Sequence, residues 1–152
     1  DIDVFLQKVH ELGYMIKLDT NGSFPDRLID IVERGLVDRV AMDIKNAPEL
    51  YAETVGVPVL DLAPVERSKN YLLEGHVDYE FRTTVVRGLH TAESIAGAAK
   101  WIAGAKEYYL QQFKDSGDVL KLDGLGAYGE KEMHTLASSA AEYVPAVQVR
   151  GI

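Results

Sequence analysis

Three pairs of charged side chains stand out in this sequence by type and spacing: Lys17 with Asp19, Asp43 with Lys45, and Glu80 with Arg82. Each pair is set two positions apart near the end of an apolar run. Side chains alternate faces along a strand, so both members of a pair share one face. In V-A-M-D-I-K, residues 40–45, Ala41, Asp43 and Lys45 lie on one side, and Val40, Met42 and Ile44 on the other. Charged groups left unpaired in an apolar sheet are costly, so these must meet one another, water or a polar cavity. The plain alternative is structural: Asp19 and Asp43 start turns, and Lys45 and Arg82 neutralise them. The same device on successive strands favours a small-molecule site at their carboxyl edge, to which a fourth strand adds Gln111 or Gln112.

The elements that must position these groups alternate along the chain. Phe5, Val9 and Leu12 space a helix over residues 3–12 that stops at Gly13, and residues 14–20 read as a buried strand broken by Asn21-Gly22. Pro25 opens a helix with Leu28, Ile31 and Val32 on its apolar stripe. Residues 37–45 form the second strand. Gly56, Pro58 and Pro64 interrupt residues 49–64 before a helix over 65–73. A third strand spans 77–86. Thr91 caps a helix carrying Ile95, Ala98, Ala99 and Ile102, and residues 107–113 make the fourth strand. A polar, glycine-rich loop over 114–129 leads to a last helix, 130–143, and a short strand, 146–150. The class is α/β, with parallel strands and right-handed crossovers, as an open sheet or part of a barrel.

The remaining candidates read as structural. His10 and His134 fall on helices and His76 and His90 in loops, without metal-ligand spacing, so they are solvated or core histidines. Trp101 is a core residue, and Gly124-Leu125-Gly126 is too short for a phosphate-binding fingerprint.

The chain has 152 residues, 47% hydrophobic and 26% charged, which is ordinary for one soluble globular domain. Its apolar runs fall short of a membrane span, and cytoplasmic residence is the expectation. A net charge of −8, with Lys and Arg scattered among acids, argues against nucleic acid as a partner. With no cysteine, the chain forms no disulfide, thiolate zinc site or iron–sulfur cluster from its own residues.

Taken together, Asp19-Thr20-Asn21-Gly22 at one strand end, Met42-Asp43-Ile44-Lys45 at the next, and Phe81-Arg82-Thr83-Thr84-Val85-Val86 after a helix resemble the later strands of radical S-adenosylmethionine activating enzymes. The likeness is to the activators of anaerobic ribonucleoside-triphosphate reductase and pyruvate formate-lyase, and Tyr109-Leu110-Gln111-Gln112-Phe113 extends it to a sixth-strand signature. The resemblance implies a partial (β/α) barrel fragment of about four parallel strands with flanking helices. On that view residues 1–113 are carboxyl-terminal βα units, and 114–152 a loop, helix and short strand packed on them.

The family's chemistry is reductive cleavage of S-adenosylmethionine at a [4Fe–4S] cluster to a 5′-deoxyadenosyl radical, which installs a glycyl radical on a partner enzyme. A reductant such as flavodoxin or ferredoxin is implied with it. By resemblance Asp19, Thr20 and Asp43 bracket the amino-acid end of the cofactor, and Lys45 reaches its carboxylate. Arg82 assists as an anion partner or contacts the substrate protein. The cluster motif C-x-x-x-C-x-x-C is not in this sequence. The expectation is therefore the carboxyl-terminal portion of a longer enzyme, inactive alone, with an exposed edge on its first strand. Two other classes remain open: a barrel lyase or decarboxylase using Lys45 with Asp43, and a non-catalytic partner-binding domain.

Overall fold

The computed structural model describes residues 2–115 and 124–152, so half of the expected 114–129 loop lies outside the described residues. The elements are α1 (Ile2–Glu11), β1 (Lys17–Thr20), α2 (Pro25–Glu33), β2 (Arg39–Asp43), α3 (Tyr51–Val55), α4 (Ala63–Leu73), β3 (Asp78–Val85), α5 (Ala92–Trp101), β4 (Tyr108–Gln112), α6 (Glu130–Ala140) and β5 (Val147–Arg150). The strands form one open sheet in the order β1-β2-β3-β4-β5. The β1–β2, β3–β4 and β4–β5 pairings are parallel. Such strictly sequential order belongs to barrel-type winding, whereas a doubly wound sheet reverses direction at a switch point. The α/β expectation holds, and the short last strand joins the sheet as its fifth member.

Two compact units divide the chain, Asp1–Asp43 with Asp61–Glu80, and Ile44–Leu60 with Phe81–Ile152. In the first, Val40, Ala41 and Met42 of β2 are fully buried. Leu28, Ile31 and Val32 form the inward stripe of α2, which starts on Pro25 and packs against α4. Each such side chain taken from water stabilises by roughly 1.5–3 kcal/mol. The Asp38 carboxylate accepts the Ile16 N–H at 2.6 Å, which starts β1 beside β2. Helix α1 buries Leu6 and leaves Phe5 exposed, as is Leu12 just past its end.

In the second unit the core is built by Phe81, Val85, Tyr108 and Leu110 from strands and Ile95, Ala98, Ala99, Met133 and Ala140 from α5 and α6. The small alanines let those two helices approach closely. Thr91 caps α5 as expected: its Oγ1 accepts from Ser94 N–H at 3.2 Å, and Ser94 Oγ accepts from Thr91 N–H at 3.0 Å. Sequence reading leaves residues 49–64 irregular, yet α3 forms there after a 3₁₀ turn at Pro48–Leu50. Gly56, at φ +76°, ends it, and the buried Tyr51 ring meets Trp101 edge-on at 5.8 Å. Burial of one aromatic ring holds a helix too short to show any periodicity.

Candidate functional site

At the end of β1, the motif Asp19-Thr20-Asn21-Gly22 folds into two overlapping side-chain turns. Thr20 Oγ1 accepts the Gly22 N–H at 3.1 Å, and Asn21 Oδ1 accepts the Ser23 N–H at 3.0 Å. Gly22 sits at φ +76°, and a Cβ there would overlap Met42 Cε. The buried Ser68 hydroxyl of α4 donates to the Gly22 carbonyl at 2.8 Å. Glycine is therefore required twice at this position, for its backbone angle and for its contact with Met42.

That contact joins D-T-N-G to Met42, the first residue of M-D-I-K, within one unit. Asp19 is in register with Ala41, and Thr20 with Met42. Asp43, two residues beyond Ala41, is thus in phase with Asp19, on the face opposite Met42. Asp19 is exposed, 3.6 Å from Lys17 Nζ, and Asp43 is half-buried as the last residue of β2. Glu80, expected to share a charged wall with Arg82, is bound by Arg39 at the start of β2 at 2.9 Å and is only 2% exposed. Arg39 also pairs with Asp78, so this cluster anchors the amino ends of β2 and β3.

The second unit holds Lys45 and Arg82, both half-buried. Ile44 N–H donates to the Arg82 carbonyl at 2.8 Å, and Thr83 Oγ1 donates to the Ile44 carbonyl at 2.6 Å. Tyr108 O–H completes the chain at 2.7 Å from Thr83 Oγ1. Arg82 is in register with Tyr109, whose ring lies under the Arg150 guanidinium at 3.2 Å. The sheet ladder ends here, and Lys45 begins the exit from it.

Two residues outside the expected site hold that exit, and one of them, His90, is the core histidine that the sequence allows. Asn46, fully buried, donates through Nδ2 to the Leu89 carbonyl at 3.0 Å and to Thr54 Oγ1 at 2.9 Å, while its Oδ1 accepts the Ala47 N–H at 2.8 Å. His90, 2% exposed, places Nε2 2.8 Å from the Lys45 carbonyl, and its Nδ1 accepts the Val86 N–H at 3.0 Å. One proton satisfies both contacts only if Nε2 carries it. Burial pushes the imidazole pKa down, with the bonds to the Lys45 and Val86 backbone opposing in part, so the neutral ring is favoured. Tyr128 O–H donates to the His90 carbonyl at 2.6 Å. A strap carrying Gly126 pairs with Arg87 across an antiparallel bridge. The only sequence hint of His90's role is its place just after the third strand, where βα loops carry function.

These features define a parallel α/β sheet with acidic and basic side chains at its strand ends. No family model matches the chain. It is 31% identical over 151 residues to a protein named as a glycyl-radical enzyme activating enzyme from Methanocaldococcus jannaschii, covering 93% of this chain. The chain spans 61% of that relative's length. Its fold matches a crystal structure of a domain of a pyruvate-formate lyase-activating enzyme from Bacteroides vulgatus with a TM-score of 0.78, at 13% identity, over 99% of this chain and 89% of that one. The first likeness agrees with the resemblance read from the motifs, and the second shows the fold.

Proposed function

We propose that this chain supplies S-adenosylmethionine-binding strands of a glycyl-radical enzyme activating enzyme. The observation that carries the reading is the Gly22–Met42 contact, which locks D-T-N-G onto M-D-I-K with Asp19 and Asp43 in phase across the β1–β2 register. The chemistry of the donor set fits the cofactor's amino-acid end. A carboxylate needs a cation, and Lys45 is that cation in this reading, with Arg82 as a second anion partner. Asp19, Thr20 and Asp43 offer oxygens for an ammonium group or a metal cation.

The donor set does not fit the cluster, because the chain has no cysteine. In the whole protein that we propose, the bound cofactor supplies the radical that activates a glycyl-radical enzyme, with a cytoplasmic flavodoxin or ferredoxin as electron donor. The cluster ligands must come from outside these residues, and the chain by itself is proposed not to turn over. Residues 1–113 are read as the βα units and 114–152 as the addition that brings β5 to the sheet.

Titration calorimetry of the chain with S-adenosylmethionine tests this. Saturable binding is expected, and losing a charge-assisted contact in Lys45→Ala or Asp43→Asn should weaken it about tenfold or more. Absence of binding, or variants indistinguishable from the unsubstituted chain, would overturn the reading. Borohydride trapping of a carbonyl compound at Lys45 would instead favour a lyase.

A further inference from the structure

The geometry points to His90, together with Asn46, as a positioning pair that sets the Lys45 backbone so that its amine meets the cofactor's carboxylate. This rests on the reading of Lys45 given above. Lys45 follows the last sheet-type bonds of its strand, those of Ile44 with Arg82 and Thr83. From there the chain is held by a reciprocal clasp between two dipeptides. The Lys45 carbonyl receives His90 Nε2–H at 2.8 Å, and the Leu89 carbonyl receives Asn46 Nδ2–H at 3.0 Å. Thr83 on the Ile44 carbonyl and His90 on the Lys45 carbonyl hold the peptide planes on both sides of the Lys45 Cα, and with them the direction in which the side chain leaves.

A lysine arm is long and rotatable, so its aim depends on its root. A root held before the ligand arrives lowers the ordering cost of binding. The clasp is itself braced. Val86 N–H fixes the ring tautomer, Tyr128 O–H ties the His90 carbonyl, and Thr54 Oγ1 accepts a second bond from Asn46. Burial of both side chains makes every one of these bonds expensive to break.

Three probes separate positioning from general loosening: S-adenosylmethionine, S-adenosylhomocysteine, and 5′-methylthioadenosine, which has the adenosine and the sulfur but no amino-acid group. In calorimetry on the full chain, Lys45→Ala should weaken the first two by about tenfold or more and leave the third within about twofold. His90→Ala should reproduce that selectivity with a loss of about five- to tenfold, and His90→Gln, whose amide N–H can replace Nε2–H, should recover most of it. Asn46→Ala should show the same selectivity, and with His90→Gln it decides the matter if His90→Ala does not fold. Equal losses on all three probes, or none, alongside a selective Lys45→Ala, would overturn the positioning role and leave the cofactor reading intact. A non-selective Lys45→Ala, or no binding by the unsubstituted chain, would overturn the cofactor reading and this role with it.

Discussion

After β1 the chain is turned by packing, with Gly22 against Met42 and the Ser68 hydroxyl closing over its carbonyl. After β2 it is held by hydrogen bonds among buried polar groups, Thr83, Asn46 and His90, each reaching main-chain atoms far away in sequence. The first device depends on the absence of a side chain and forgives nothing larger than hydrogen. The second depends on protonation and on donors keeping their acceptors. One end should therefore fail by steric overlap and the other by desolvated, unpaired groups or by acid.

Gly22→Ala is expected to have the largest effect, about 3 kcal/mol in urea denaturation, because it combines a left-handed backbone angle with overpacking. Paired with Met42→Ala, the double variant should lose less than the sum of the two single losses. Full additivity would remove the packing account of this turn. Thr83→Val should cost about 1–2 kcal/mol, since the Tyr108 hydroxyl and the Ile44 carbonyl both lose a buried partner. A Thr83→Val chain as stable as the parent would mean that the polar chain at β2's exit contributes nothing.

His90 gives that exit a pH signature that the glycine turn lacks. Its folded pKa lies below the ordinary 6.5, so the unfolded chain binds the proton more readily. Stability should then be complete above about pH 6.5 and fall as pH drops through and below that value. Denaturation midpoints measured from pH 7.5 to 5 should show this fall in the parent and a smaller one in His90→Gln. Equal slopes in the two chains would remove His90 as the cause. The smallest effect should come from Arg34→Ala: Arg34 bridges Asp3 and Asp30 at the surface and lowers the Asp3 pKa, yet exposed ion pairs add little, and its midpoint should move no further than replicate scatter.

Much of the framework was legible because its signals are local. Glycine and proline mark the helix ends, the period of the apolar residues separates strand from helix, and D-T-N-G and M-D-I-K announce themselves as strand ends. The clasp was not legible, because His90 and Asn46 bind main-chain groups, which every residue presents alike and no sequence pattern labels. Glu80 shows a related limit. Alternation placed it in phase with Arg82, but the structure gives it to Arg39, since pairing to the neighbouring strand depends on register. Helix α3 escaped notice because a five-residue helix carries no period to read.

Tyr108 has one more consequence. Its ring is fully buried and its hydroxyl is bonded to Thr83 Oγ1, and burial pushes its pKa well above that of an ordinary phenol. In an ultraviolet alkaline titration it should still hold its proton at a pH at which a free phenol is already phenolate. Its absorbance change should arrive only as the fold gives way, so one residue at the centre of the second unit is a built-in optical clock for its collapse in base.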